Sequence, residues 1–224
     1  MTGADPIDPQ GSDRAEPPAR AGLDDQAALI DEVNHRVKNA LQQVASLVRL
    51  QARAATDPAT RQALDTTLGR IMAVGRAHEQ TYRVREDQGD FDAGLYTRTL
   101  ARDLIGAAGR DDVALETEVI SVWLDARQAT PLALILNELV TNALKHGCPA
   151  GRPGRIRVVL GTEGGDYRLS VSDDGPGLPA GLAPRSRTSL GLRAVDALAR
   201  QLQGRLVVEP TKTGASLAVV FPRA

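Results

Sequence analysis

The sequence predicts a long helical hairpin followed by an α+β domain, an antiparallel-rich sheet with helices on one face. Three observations carry that prediction. From Asp25 to about Tyr82 apolar residues recur every three or four positions, the period of helices buried on one side. A polar stretch over 83–90 then ends the pattern. Beyond it, short β-branched runs alternate with helical segments and Gly-rich turns, without any internal repeat.

Residues 1–24 read as a disordered tail, with Pro6, Pro9, Pro17, Pro18, scattered Gly and Asp, and no apolar periodicity. The first helix runs from Asp25 to about Ala55, its stripe formed by Ile30, Val33, Val37, Leu41, Val44 and Val48, with Ala40 and Leu47 beside it. Thr56-Asp57-Pro58 marks a turn and restart, since Asp57 suits an N-cap and Pro58 the first helical position. The second helix carries Leu64, Leu68, Ile71, Val74 and Gly75 or Ala77 on one side. A lone hairpin over 25–83 buries little surface. A second copy completes a four-helix bundle, so a homodimer is expected.

The linker is placed at 84–90 and the second domain at 91–224. Helices are expected over 92–105, 130–146 and 190–202, and strands over 113–120, 156–160, 167–171, 206–209 and 216–221. Thr130 is read as the cap of the middle helix, Pro131 as its first position and Gly147 as its stop. A Gly-rich hairpin falls at 161–165, and a loop of Gly, Pro and Arg at 175–188.

Composition excludes several classes. Lys+Arg 27 against Asp+Glu 28 gives a net charge of -1, unlike a strongly basic nucleic-acid binder. Aromatic residues make up 3%, too few for a base-stacking surface. The single cysteine, Cys148, rules out an internal disulfide framework and a Cys-based zinc site, and suits packing. No apolar run approaches the ~20 residues of a membrane span. The N-terminus lacks the apolar core of a signal peptide. The expectation is a cytoplasmic protein that contacts neither membrane nor nucleic acid, with no segment left over for sensing.

Four places carry chemistry. His35 lies about 200° around the helix from both Val33 and Val37, so it points away from the apolar stripe. Arg36, Lys38 and Asn39 surround it with groups that attract a phosphoryl group. A neutral imidazole is a competent nucleophile. Glu32, one turn earlier, can accept a hydrogen bond from one ring nitrogen and leave the other free, or serve simply as a surface carboxylate. In the helix 130–146, Leu132, Ile135, Leu136, Leu139 and Ala143 form the buried face. Glu138, Asn142, Lys145 and His146 form a polar stripe, either a solvated face or a wall for Mg-ATP. There Asn142 offers Mg²⁺ a hard oxygen, Glu138 serves the metal through water or moves a proton, and Lys145 meets phosphate. Asp173 ends a strand ahead of Gly175 and Gly177, either as a plain turn or as an acceptor for the exocyclic amine of adenine. Gly191 opens a helix whose free N–H groups suit phosphates.

Taken together, the order and spacing of these elements resemble a bacterial two-component histidine kinase over roughly residues 26–222. His35-Arg36-Val37-Lys38-Asn39 is similar to the H-R-x-K-N phosphoacceptor motif of one subclass, and Arg70-Ile71 and His78-Glu79 to its helical tail. Glu138 to His146 resemble the N box, Asp173, Gly175 and Gly177 the first glycine box, and residues 189–192 the second, with Ser189 where other subclasses carry glycine. Two features depart from better-known subclasses. Arg36 replaces the acidic residue that follows the histidine, and no Phe-containing box lies between the glycine boxes, leaving Arg185 and Arg187 as candidate phosphate contacts. The Trp-x-Glu signature of the H-W-E subclass is absent.

The resemblance implies a dimerising phosphoacceptor bundle followed by a Bergerat-type (HATPase_c, GHKL) α/β sandwich. It implies ATP and Mg²⁺, autophosphorylation at His35, and transfer to a response-regulator aspartate, with input from elsewhere such as a separate sensor protein. The catalytic candidates are His35, Glu32, Glu138 and Asn39. The nucleotide contacts are Asn142, Lys145, His146, Asp173, Gly175, Gly177, Ser189, Gly191 and Leu192, and the metal-facing groups are Asn142 and Glu138. Two rival readings are a phosphotransfer relay protein that does not use ATP and an anti-sigma-type serine kinase. Intact Asn142, Asp173 and Gly177 weigh against the first, and His35 on a long hairpin against the second.

Overall fold

The computed structural model describes residues 19–82, 90–149, 151–177 and 190–223, apart from the side chains of 19–35, 79–82 and 190. The chain divides into two units, 1–37 and 38–224. In order, the elements are α1 (Ala19–Ala54), α2 (Pro58–Tyr82), β1 (Asp90–Asp92), α3 (Ala93–Ala107), β2 (Val113–Val119), β3 (Trp123–Asp125), α4 (Ala129–Asn142), β4 (Gly154–Glu163), β5 (Asp166–Asp173), α5 (Leu190–Gln201), β6 (Arg205–Glu209) and β7 (Ser216–Phe221).

Helix α1 starts at Ala19, so residues 19–24, expected as tail, are helical. The prolines end at Pro18, and Ala19 to Leu23 hold only Gly22 as a poor helix former. The expected tail over 1–18 and linker over 84–89 lie outside the described residues. The α1–α2 turn forms as predicted. Asp57 Oδ2 accepts from the Thr60 backbone N–H at 2.8 Å and from its hydroxyl at 2.6 Å, and these bonds lower the Asp57 pKa.

The inner stripe of α1 follows the predicted one at the half-buried Val37, Leu41 and Val48 and departs from it at Val44. Ala45 and Ala52 are buried, while Val44 and Leu47 are exposed. Small residues at a helix–helix seam let the backbones approach closely, a fit that periodicity alone does not reveal. The opposite face of α2 joins the main core through Ala73 and Ala77.

The five-stranded sheet has the order β2-β4-β5-β7-β6. Strand β2 is parallel to β4, and the other neighbours are antiparallel. Along β4, Ile156, Val158 and Leu160 face the core while Arg155 and Arg157 face out, the period-two signature of a sheet covered on one side. The β4–β5 turn uses Gly164 and Gly165, both at positive φ. A second, two-stranded sheet pairs β1 with β3. It was not predicted, because strands of three residues are too short to show alternation. Strand β1 leads directly into α3, where Asp92 caps the helix by accepting from the Gly94 and Leu95 N–H groups.

Thr130 is not the cap of α4. A 3-10 turn, Ala126–Gln128, precedes the helix, and Asp125 caps it by accepting from the Arg127 N–H at 2.8 Å. Gln128 Oε1 answers by accepting from the Asp125 N–H, completing a capping box one turn earlier than expected. Bonding to Arg127 lowers the Asp125 pKa to about 2. At its other end α4 widens into a π turn, Ala143–Gly147, closed by the Cys148 N–H on the Ala143 carbonyl at 2.9 Å. Such single π turns concentrate at functional sites. This one carries Lys145, His146 and Gly147.

Candidate functional site

The described site residues predicted in the second domain fall into two groups, one where the end of β5 meets the turn after α4 and one where α4 meets the start of α5. In the first stands Asp173, half-buried, the last residue of β5. Its Oδ1 accepts from the Gly175 N–H at 3.0 Å and the Ala215 N–H at 3.2 Å. Burial pushes the carboxyl pKa up, while those two bonds and the nearby charge of His146 pull against the rise. Among the described residues Oδ2 has no hydrogen-bond partner. Gly147 and Gly175 pack against each other and against Asp173 with no room for side chains. Gly177 holds φ +82, a conformation glycine adopts without strain. Asp174 is structural, because its Oδ1 accepts from the Arg155 N–H and ties the loop to β4.

In the second are Asn142, partly exposed at the last position of α4, and Gly191 in the first turn of α5. A β-carbon on Gly191 would lie 2.7 Å from Glu138 Oε2 and 3.9 Å from the Asn142 amide. The N box and the second glycine box are therefore in contact. Leu192, half-buried, anchors this start of α5 against the core. Lys145 and His146 are exposed.

Glu138 is not part of a solvated stripe. It is 4% exposed, and both of its oxygens accept from Arg70 of α2: Nε to Oε1 at 2.7 Å and Nη2 to Oε2 at 3.0 Å. The pair raises the Arg70 pKa. Each oxygen of Glu138 thus commits one of its two lone pairs to the guanidinium fork. Lys145 Nζ donates to the Thr66 hydroxyl at 3.0 Å, so α2 engages both Glu138 and Lys145 of the stripe. Between them a β-carbon on Gly69 would lie 3.3 Å from Asn137 Oδ1, which is buried and has no partner among the described residues.

Three contributions were not found by sequence reasoning. Arg70 was visible only as a motif residue without a task. Gly147 was read as a helix stop. Ala215 acts through its backbone N–H, which no side-chain pattern reports. His35 and Glu32 lie on α1, and their side chains fall outside the described residues. Ser189, Arg185 and Arg187 also lie outside them. Asn39 is exposed and edges a shallow groove along α1 with Gln42, Gln43, Ser46, Leu47 and Leu50. Cys148 is buried, and burial raises its thiol pKa, which fits a packing role.

Among the described residues no helix is long and apolar enough to cross a membrane, and no cluster of three or more His, Cys, Asp or Glu is placed to hold a metal. Residues 32–108 match the HisKA_2 family, described as histidine kinase. Residues 127–224 match the family of histidine kinase-, DNA gyrase B-, and HSP90-like ATPases. The sensor histidine kinase PdtaS of Mycobacterium tuberculosis is 32% identical over 181 residues, covering 80% of this chain and 36% of that protein. Blue-light-activated histidine kinase 2 of Erythrobacter litoralis is 27% identical over 214 residues, covering 93% of this chain and 60% of that protein. The chain thus spans roughly a third to three-fifths of the length of these relatives. The histidine kinase domain of the Erythrobacter litoralis EL346 blue-light activated histidine kinase superposes with a TM-score of 0.64 at 26% identity, covering 92% of this chain and 94% of that one. With the helical hairpin matched by one histidine kinase family and the α/β domain by the ATPase family that includes histidine kinases, and the fold of a histidine kinase domain matched across nearly the whole chain, this chain belongs to the histidine kinases.

Proposed function

We propose that the chain is an ATP-dependent protein histidine kinase that phosphorylates His35 and passes the phosphoryl group to a response-regulator aspartate. The observation that carries this reading is that one π turn has Gly147, packed on Asp173 and Gly175, at its end and Asn142, beside Gly191, at its start. The first group suits an adenine. Asp173 Oδ1 is already held by two backbone N–H groups, so Oδ2 remains for an exocyclic amine, and the absent β-carbons of Gly147 and Gly175 let a flat ring approach. The second group suits phosphates, with N–H groups at the start of α5 and the Lys145 ammonium nearby. Asn142 supplies one hard oxygen, a donor set that fits Mg²⁺ shared with substrate phosphates. When bound, the metal offsets charge on the transferring group.

On this reading one ring nitrogen of His35 attacks the γ-phosphorus as the bond to the β-phosphate oxygen breaks. The electron pair leaves with ADP, and Glu32 takes the proton from the other ring nitrogen. A homodimer is part of the proposal. Val44, Leu47 and Leu50 are 46%, 62% and 66% exposed on α1, an apolar face unused within the hairpin and suited to a second copy.

Incubation with γ-labelled ATP and Mg²⁺ tests this reading. The expected product is acid-labile, base-stable label on the chain, absent from His35→Ala. Label acquired only from a phosphorylated regulator would make the chain a relay protein. Label on a partner's serine would make it a serine kinase of the anti-sigma type.

A further inference from the structure

Thr66 and Arg70 lie one turn apart on α2 and engage Lys145 and Glu138 of the N box. The side chains of Arg70 and Glu138 are 30% and 5% exposed, so the pair is largely removed from water. A bidentate guanidinium–carboxylate contact in such a place is geometrically well defined. Glu138 Oε2 also borders Gly191, at the end of the site that suits phosphates. A carboxylate here has a hazardous alternative chemistry. It can take a proton from water as the water oxygen attacks the γ-phosphorus and the bond to the β-phosphate oxygen breaks. ADP and inorganic phosphate then leave, and the phosphoryl group never reaches histidine. Here both oxygens are engaged by the Arg70 guanidinium, which holds the carboxylate toward α2.

From this relationship we infer that Arg70 is a positioning residue that withholds Glu138 from water, so that α2, docked on α4, reserves bound ATP for transfer to His35. The inference rests on the nucleotide reading above. It differs from a purely structural role because it predicts how consumed ATP is divided between protein and water.

The test uses the full chain as wild type, R70M, R70K, E138Q, R70M/E138Q and D103N. It measures phosphate release, phosphoprotein formed per ATP consumed, and affinity for a fluorescent ATP analogue. R70M is expected to raise phosphate release about tenfold or more, with less phosphoprotein per ATP and unchanged analogue affinity. R70K keeps the charge without the fork and should fall between R70M and wild type. R70M/E138Q should return to the wild-type rate. Without nucleotide, the R70M and E138Q effects on the unfolding midpoint should be less than additive, reporting the pair itself. D103N removes the Arg76–Asp103 contact between α2 and α3, at 3.6 Å, and leaves Glu138 untouched. A rise in D103N equal to that in R70M would assign the effect to loosened helices and overturn the inference. So would unchanged phosphate release in R70M that still binds the analogue, or a rise that persists in R70M/E138Q. If R70M loses its cooperative unfolding transition, R70K decides the matter. Failure of the wild type to bind the analogue would instead overturn the nucleotide reading, and this inference with it.

Discussion

Gly147 and Asp173 stand so close that a β-carbon on Gly147 would overlap the Asp173 carboxyl group, coming within 2.5 Å of Oδ1. The π turn at the end of α4 brings Gly147 into this position, and the absence of a side chain lets the carboxylate keep both backbone N–H bonds. Gly147→Ala should displace Asp173 while leaving the helices intact. Titration with a fluorescent ATP analogue should show affinity lowered at least about tenfold, or 1.4 kcal/mol. Unchanged affinity would mean that Asp173 does not touch the nucleotide.

Asp173 should also cost the nucleotide-free chain stability. Burial raises its pKa above the ordinary value of 3.8. A carboxyl whose pKa is higher folded than unfolded stabilises most below the unfolded value, and that contribution is lost as pH rises through the folded value. At neutral pH the ionised group is therefore a net cost. Asp173→Asn should melt above the wild type at neutral pH, with the gap closing as pH falls to about 4, and should bind the ATP analogue poorly. Thermal unfolding across that pH range checks the sign. A variant that melts lower at neutral pH would show that the backbone bonds to the carboxylate outweigh its burial.

Asn142 is partly exposed at the last position of α4, so its loss should spare the fold. Asn142→Ala should abolish incorporation of γ-phosphate while sedimentation still shows a dimer. Monomerisation would mean that Asn142 serves assembly rather than the site.

The α4 capping box offers a test of stability alone. Asp125→Ala removes the side chain that accepts from the Arg127 N–H, ahead of the helix that carries Glu138 and Asn142. The expected cost is about 1 kcal/mol in chemical denaturation. An effect indistinguishable from zero would mean that the Gln128 half of the box suffices.

Local signals were legible where the physics is local. Asp57 caps α2 as its residue type and position imply, and β7 occupies the predicted residues, Ser216–Phe221. The fold sets Glu138 and Asn142 beside Gly191, and Gly147 beside Asp173 and Gly175. Misreadings arose where two local signals competed or the element was very short. Thr130 with Pro131 imitates a helix start, but Asp125 and Gln128 begin the turn earlier. Strands β1 and β3 are three residues each, below the length at which alternation can be seen.

By itself, the sequence determined the helical hairpin, the strand and helix types, and the residue chemistry placed at each motif, because caps, turns and periodicity act over a few residues. Only the tertiary structure decided what each charged group faces. Arg70 and Glu138 are 68 residues apart in the chain, and their pairing follows from how α2 lies on α4. The split of α1 into a buried Ala45–Ala52 seam and an exposed Val44–Leu47–Leu50 face was decided at the same level. Such contacts depend on the shapes of whole elements fitting together, which no window of sequence contains.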